Sequence, residues 1–208
     1  ADFYASDIGR DARGCPAFTL HSAAGSVAVQ LNLLGTHNVS NALAAAAAAH
    51  ALGVSLPGIA AGLNAVQPVK GRTVAQITAN GVRVIDDSYN ANPTSMCAAI
   101  DILAGFSGRT VLVLGDIGEL GQWAQEGHQL VGDYARGKVD ALYAVGSNMT
   151  HAVRAFGAEG RHFATQAELI DAVSSETASD TTILIKGSRS AAMENVVAAL
   201  CGVSGEKH

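Results

Sequence analysis

The chain has 208 residues, of which 49% are hydrophobic, and its 13 basic and 18 acidic side chains give a formal net charge of −5. This size allows one large or two small domains with buried cores, and the negative charge argues against nucleic acid as a partner. Three widely separated cysteines support neither a disulfide framework nor a zinc site and fit a reducing cytoplasm. The longest apolar run, 43–49, is too short to span a membrane, so no membrane insertion is expected.

The first third of the sequence predicts an antiparallel hairpin followed by two helices. Alternating apolar and polar residues indicate the two strands, while Asn38 as an N-cap and Gly53 as a stop signal delimit the first helix. The strands are predicted over 18–21 and 27–33, and the helices over 38–52 and 56–66. A domain boundary is placed near residue 75.

Beyond residue 75, strands and helices alternate strictly, which predicts βαβ units and a mostly parallel sheet. The strands are predicted over 82–85, 110–114, 141–145 and 182–185, and the helices over 93–104, 123–135, 148–156, 166–173 and 190–200. The chain is therefore expected to have an α/β fold, with a Rossmann-like sheet in its second part.

A glycine-rich turn, Gly115-Asp116-Ile117-Gly118-Glu119-Leu120-Gly121, follows the second of these strands. Its spacing differs from the G-x-G-x-x-G pattern of dinucleotide-binding turns, and its two acids would repel a pyrophosphate. Dinucleotide binding, a purely structural turn and a small-molecule site at the sheet edge stay open as alternatives.

Segment 132–139 matches the phosphate-loop pattern only in part. Val139 stands where a hydroxyl residue would reach magnesium, and the segment follows a predicted helix rather than a strand. No other stretch of the sequence satisfies the pattern, so we expect no machinery for binding a γ-phosphate in this chain.

Several polar residues stand at predicted strand or helix ends. Asn38 and Asn41 either cap a helix or offer amides to a purine edge. Asp86 and Asp87 end a strand, where they either cap the following helix or bind ribose hydroxyls. Arg72, taken alone, is typical of a solvated surface arginine.

The segment Lys186-Gly187-Ser188-Arg189-Ser190 follows the last predicted strand and opens the last predicted helix. Two cations beside the free N–H groups of a helix N-terminus would form an anion site. The alternative is a capped helix with exposed charges. Because this segment and the glycine-rich turn both follow parallel strands, we expect the two loops to meet at one sheet edge.

Five motifs in order along nearly the whole chain resemble the Mur ligase family. Three are shared across the family, and the last two indicate its branch that adds D-alanyl-D-alanine to a UDP-N-acetylmuramoyl-tripeptide. The motifs are LGTHNVSNALAA over 34–45, KGR over 70–72, DDSYNANP over 86–93, LGDIGELG over 114–121 and KGSRSAAME over 186–194.

The resemblance implies three domains, which bind the UDP-sugar, ATP and the incoming amino acid or dipeptide. Residues 1–75 would form the C-terminal part of the central, ATP-binding domain, and residues 76–208 the Rossmann-like C-terminal domain. The family's phosphate loop and metal ligands lie upstream of the matched motifs, so magnesium is expected only with that upstream half. The full-length protein would be an ATP-dependent ligase, whereas this chain alone is expected to be inactive.

The resemblance also implies roles for individual residues, none of them catalytic or metal-binding. Asn38 and Asn41 would lie near the adenine of ATP, and Arg72 and Asp87 would hold ribose and phosphate oxygens. The residues implied to line the dipeptide side are Asn90, Asn92, Asp116, Lys186, Ser188 and Arg189.

The implied partners are ATP, D-alanyl-D-alanine and the UDP-N-acetylmuramoyl-tripeptide. ATP would drive the joining of the dipeptide to the tripeptide through an acyl phosphate, in peptidoglycan precursor synthesis. The enzyme would be a cytoplasmic monomer. The alternative is a free-standing Rossmann-type module that binds a nucleotide or another protein. The acids in the glycine-rich turn and the antiparallel start of the chain count against a module that binds a nucleotide.

Overall fold

The computed structural model describes residues 2–176 and 178–202. The chain divides into two compact units, residues 1–69 and 70–208. This boundary precedes the one placed near residue 75, because residues 74–77 form a strand of the second unit's sheet. Among the helices in residues 2–176 and 178–202, none combines the length and the apolar composition of a membrane span.

The first unit contains a three-stranded antiparallel sheet in the order β1-β2-β3 and two helices. Its elements are β1 (Tyr4–Arg10), β2 (Pro16–Ser22), β3 (Gly25–Gln30), α1 (His37–Ala51) and α2 (Leu56–Ala65). The predicted hairpin is confirmed as β2 and β3, although the second strand covers 25–30 rather than 27–33. The sequence did not predict β1, whose mostly exposed residues show no regular apolar alternation. The core joins Leu20 and Val29 of the sheet to Val39 and Ile59 of the helices.

The helix ends of the first unit agree only in part with those predicted from the sequence. Helix α1 begins one residue earlier than predicted, with Thr36 at the N-cap position, so the prediction that Asn38 is the N-cap is wrong. Gly53 does end this helix, with a φ of +83° that a glycine adopts without strain. The hydroxyl of Ser55 caps α2 by accepting a hydrogen bond from the N–H of Gly58.

The second unit is built on a six-stranded sheet in the order β4-β5-β9-β6-β7-β8. Only the edge pair β4–β5 is antiparallel, which confirms the predicted α/β fold with a mostly parallel sheet. Its strands are β4 (Val74–Ile77), β5 (Arg83–Asp87), β6 (Thr110–Gly115), β7 (Ala141–Val145), β8 (Gly160–Phe163) and β9 (Thr182–Lys186). Its helices are α3 (Pro93–Ala104), α4 (Ala124–Ala135), α5 (Met149–Phe156), α6 (Gln166–Ser174) and α7 (Glu194–Cys201).

Helices cover both faces of this sheet, so its central strands read as continuous apolar runs. Every residue of β6 is buried. On one face, Val111 and Val113 pack in a cluster with Leu169 of α6 and Val196 of α7. Alternate residues such as Leu112 point to the opposite face, against which α3 and α5 pack.

The predicted start of the last helix, at residue 190, is wrong. Residues 189–191 form one 3₁₀ turn, and Ala192 adopts a left-handed backbone conformation that separates this turn from α7. The amide nitrogen of Gln166 stabilises the loop by donating to the carbonyl oxygen of Ala191 at 2.6 Å. Lys186 and Arg189 therefore do not lie at an α-helix N-terminus, so the free N–H groups of that helix are not beside them to complete the predicted anion site.

An ion pair joins the start of β6 to the segment after α6. Arg109 donates from Nε and Nη2 to the two carboxylate oxygens of Glu176 at 2.6 and 2.9 Å. Tyr143 adds a hydrogen bond from its hydroxyl to the same carboxylate at 2.8 Å. The hydrogen bonds from Arg109 hold the pKa of the Glu176 carboxyl below its usual value, although burial acts in the opposite direction.

This lowered pKa predicts acid sensitivity. The stabilisation is present above the unfolded-state pKa of about 4.3 and is lost as the pH falls through the lower folded-state value. Because Arg109 is 40% exposed, we expect Glu176→Gln to cost only about 1 kcal/mol at pH 7. Urea unfolding of both proteins between pH 7 and pH 3 should show this difference shrinking in acid. A difference that stays constant over the range contradicts the prediction.

Candidate ligand-binding site at the carboxyl edge of the sheet

The order of the strands changes direction at one point in the second unit's sheet. The chain runs outward through β6, β7 and β8 and then returns to insert β9 between β5 and β6. Ligands of open α/β sheets bind beyond the carboxyl ends of the strands where the order reverses in this way. Register places Lys186 at the end of β9, between Asp87 of β5 and Leu114 of β6.

A buried ion pair lies at this edge. Lys186 Nζ donates to Asp87 Oδ2 at 2.6 Å and to the carbonyl oxygen of Asn90 at 2.9 Å. The other oxygen of Asp87 accepts hydrogen bonds from the backbone N–H and the hydroxyl of Thr73 at 2.9 and 3.0 Å. The lysine and aspartate side chains are 5% and 13% exposed. Two of the three ammonium N–H groups are therefore engaged inside the unit, and Asp87 keeps little free acceptor capacity.

The two loops predicted to meet at one edge are joined directly, which confirms that expectation. Ser188 donates from its backbone N–H and from its hydroxyl to the carbonyl oxygen of Asp116, at 3.0 and 2.7 Å. The hydroxyl of Ser190 lies 3.1 Å from that of Ser188. The glycine-rich turn and the loop after β9 thus form one continuous surface.

The side chain of Asp116 connects this surface to a third loop. Its Oδ1 accepts hydrogen bonds from the backbone N–H groups of Asn148 and Met149 at 3.1 and 3.0 Å, at the start of α5. Gly146 permits this approach, because a Cβ atom there would overlap the carboxyl group. The carboxylate predicted on the dipeptide side therefore also caps a helix.

A histidine that the sequence analysis did not single out binds the glycine-rich turn to helix α4. His128 of α4 is completely buried. Its Nε2 accepts a hydrogen bond from the N–H of Ile117 at 3.0 Å, and its Nδ1 lies 2.6 Å from the carbonyl oxygen of Ala124. These partners require the neutral ring with its proton on Nδ1. The sequence offers one weak signal, since His128 shares a helix face with the buried Val131.

Arg72 lies beside the end of β5. Its guanidinium stacks over the ring of Tyr89, 4.7 Å from the ring centroid. The backbone N–H of Tyr89 donates to the carbonyl oxygen of Gly71 at 3.0 Å, which keeps the two segments together. Arg72 is thus oriented by an aromatic face rather than left as a freely solvated side chain.

The two asparagines after β5 have local structural partners. Asn90 Oδ1 accepts a hydrogen bond from the N–H of Ala91 at 2.8 Å. Asn92 caps α3 in a capping box with Ser95. The alternative that Asp86 or Asp87 caps this helix is therefore wrong. Asp86 instead accepts hydrogen bonds from the backbone and side chain of Ser88, two residues further on.

In the first unit, Asn38 and Asn41 are brought together. Asn41 Nδ2 donates to Asn38 Oδ1 at 3.0 Å, and Asn38 Nδ2 donates to the carbonyl oxygen of Leu34 at 2.7 Å. Asn38 is thereby fixed in place, while the oxygen of the Asn41 amide is left available for a further partner.

Arg189 is the exposed cation of the loop after β9. Its side chain is 71% exposed and forms an ion pair with Glu194 at 3.2 Å. A solvated guanidinium presents several N–H groups in one plane, which suits a carboxylate. As for metals, no cluster of three or more His, Cys, Asp or Glu side chains suited to holding an ion occurs within 2–176 and 178–202.

These features define a class of protein. A three-layer α/β unit with polar loops joined beyond the carboxyl ends of its parallel strands is typical of small-molecule-binding domains of the doubly wound type. Residues 71–189 of this unit match the family model described as Mur ligase, glutamate ligase domain. The match covers more than half of the chain, which therefore belongs to the Mur ligase family, as its five motifs predicted.

Individual relatives are similar over almost the whole chain. The UDP-N-acetylmuramoyl-tripeptide–D-alanyl-D-alanine ligase of Escherichia coli (strain K12) is 43% identical over 203 residues, covering 96% of this chain and 44% of the relative. A crystal structure of MurF from Acinetobacter baumannii is 40% identical, with a TM-score of 0.78, covering 97% of this chain and 46% of that one. MurF from Thermotoga maritima in complex with ADP, at 20% identity and a TM-score of 0.76, supports the fold alone. The chain spans less than half the length of these relatives.

Proposed function

We propose that this chain forms the C-terminal part of a cytoplasmic ligase that uses ATP to add D-alanyl-D-alanine to a UDP-N-acetylmuramoyl-tripeptide. The observation that carries the proposal is the pair of loops joined through Ser188 and Asp116 at the carboxyl edge of the sheet. This edge presents an exposed cation, Arg189, for the carboxylate of a dipeptide. The 43% identity to the Escherichia coli ligase of that reaction supports the same substrates.

Both units would contribute residues that bind ATP. The first unit would belong to the ATP-binding domain, with the amides of Asn38 and Asn41 near the adenine. In the second unit, Arg72 would donate to phosphate oxygens. Asp87, most of whose acceptor capacity is already used, would accept a hydrogen bond from a ribose hydroxyl. ATP would convert the terminal carboxylate of the tripeptide into an acyl phosphate, and the amine of the dipeptide would then displace the phosphate to form the amide bond.

The dipeptide would lie on the joined loops. Arg189 would pair with its carboxylate, with Ser188, Asn90 and Asn92 nearby. Negative charge develops on the oxygen of the acyl group as the amine attacks, and fixed cations and N–H groups aimed at that oxygen lower the barrier. Lys186 would contribute to this field from its buried position, and the dipeptide would be held in line with the acyl phosphate.

The proposal is tested by building a complete ligase, in which this chain replaces the corresponding part of the Escherichia coli relative. We expect this protein to form the pentapeptide product from ATP, the UDP-tripeptide and D-alanyl-D-alanine. The 208-residue chain alone should give no product, because its sequence contains no phosphate loop. Robust turnover by the chain alone would contradict the prediction that it is inactive by itself. Dinucleotide binding by the chain would instead favour a free-standing nucleotide-binding module.

Substitution of Arg189 tests the assignment of the dipeptide site. Arg189→Lys keeps the charge but removes the two parallel N–H groups that pair with a carboxylate. We expect the KM for D-alanyl-D-alanine in the complete ligase to rise about tenfold, as for a lost hydrogen bond to a charged group, while the KM for ATP is nearly unchanged.

Arg72→Ala is the matched control for that substitution. It should weaken ATP use by about 1.5–3 kcal/mol and leave the KM for the dipeptide nearly unchanged. If Arg189→Lys disturbs ATP alone, Arg189 does not belong to the dipeptide site.

A further inference from the structure

We propose that His128 is a positioning residue for the dipeptide, which holds the glycine-rich turn in the shape that places Ser188 and Arg189 at the carboxyl edge. The inference rests on the proposed function, since the substrate is the dipeptide assigned there. His128 is completely buried, so it acts through the loops and not by touching the substrate.

The first step of the argument is the pair of hydrogen bonds that His128 makes on opposite sides of its ring. The Nδ1 side is anchored to Ala124 within α4, at 2.6 Å. The Nε2 side accepts the N–H of Ile117 at 3.0 Å. Ile117 is itself buried, so without His128 its N–H would lose a partner that water does not replace. The imidazole thus fixes the turn to the helix.

In the second step, the contact continues through the neighbouring residue in the chain. Asp116 precedes Ile117, and its carbonyl oxygen accepts both hydrogen bonds of Ser188. Its Oδ1 caps α5 and lies 3.8 Å from the Nε2 of His128. A displacement of Ile117 therefore changes the placement of Ser188 and of Arg189 beside it. The chain of contacts runs from α4 to the loop proposed to bind the dipeptide.

Two substitutions distinguish the effect of the hydrogen-bond acceptor of His128 from the effect of the space that its ring fills. His128→Gln places an amide oxygen near the position of Nε2 and keeps an acceptor for Ile117. His128→Leu fills similar space without an acceptor. Should the leucine variant not fold, His128→Asn serves instead, because its shorter side chain does not reach Ile117.

A stability control is provided by Thr182→Val. Thr182 is completely buried, and its hydroxyl accepts a hydrogen bond from Arg83 Nη1 at 2.7 Å. It lies at the first residue of β9, at the opposite end of that strand from Lys186. The control therefore removes a partly buried hydrogen bond from the same unit but leaves the glycine-rich turn untouched.

The first measurement needs no ligase activity and uses the 208-residue chain. Amide hydrogen exchange is followed by nuclear magnetic resonance at Ile117 and Ser188. We expect His128→Leu to accelerate exchange at both amides about tenfold, and His128→Gln to restore most of the protection. Thr182→Val should leave both amides unchanged. Unaltered exchange at both amides in His128→Leu overturns the proposal.

The second measurement uses the complete ligase. His128→Leu should raise the KM for D-alanyl-D-alanine about tenfold and leave the KM for ATP unchanged, with recovery in His128→Gln. Equal effects on both substrates, or the same effect from Thr182→Val, would reduce His128 to a structural role and overturn the proposal. A complete ligase that never uses the dipeptide overturns the proposed function, whereas the exchange measurement still decides whether His128 positions the loops.

Discussion

Lys186→Met should destabilise the second unit by about 3–5 kcal/mol, the range for removing one partner of a buried ion pair. The substitution keeps the length and apolar stem of the side chain but leaves the carboxylate of Asp87 without its counter-charge. The 2.6 Å hydrogen bond and the 5% and 13% exposure of the two side chains place this pair away from solvent. Such a loss is a large fraction of the 5–15 kcal/mol that is typical of a whole domain.

Urea unfolding of the 208-residue chain measures this effect, with Arg189→Met as the matched control. Arg189 also forms an ion pair, but its side chain is 71% exposed, so the control should change stability by no more than about 0.5 kcal/mol. The double variant Lys186→Met/Asp87→Asn should recover part of the loss, because no charge is then left buried and unpaired. Equal effects of the two single variants would mean that the Lys186 pair behaves as a solvated one.

Gly132→Ala is expected to destabilise the second unit by about 1–3 kcal/mol, although alanine is normally the better helix former by about 1 kcal/mol. A Cβ atom at this position of α4 would overlap the backbone of Ala152 in α5, at its carbonyl oxygen and α-carbon. Backbone atoms cannot rotate away as a flexible side chain can. The two helices would therefore have to separate, with loss of packing along their whole contact.

Gly62→Ala is the control with the opposite expected sign. Gly62 lies inside α2, where a Cβ atom would meet nothing within 4 Å, so alanine should raise stability by roughly 1 kcal/mol. Urea unfolding followed by circular dichroism gives the two changes, and amide hydrogen exchange assigns each to its own unit. A stabilising effect of Gly132→Ala would contradict the close approach of α4 and α5.

Much of the second unit could be predicted because local patterns are strong there. Helix α3 covers 93–104 as predicted, with Pro93 at its first position, and β6 was recognised from its uninterrupted apolar run. The short strands β4 and β8 were missed, since each has four residues and no fully buried position. The left-handed Ala192 was missed because nothing in its identity favours that conformation.

The candidate site, too, could be predicted only in part. The sequence by itself determined the family, the alternation of strands and helices, and hence that the loops after β6 and β9 share one edge. Only the tertiary structure decided which polar groups meet there. Lys186 and Asp87 are 99 positions apart, and Ser188 and Asp116 are 72 apart. Their pairing depends on the insertion of β9 between β5 and β6, and no local pattern encodes which strands become neighbours or how their side chains then pack.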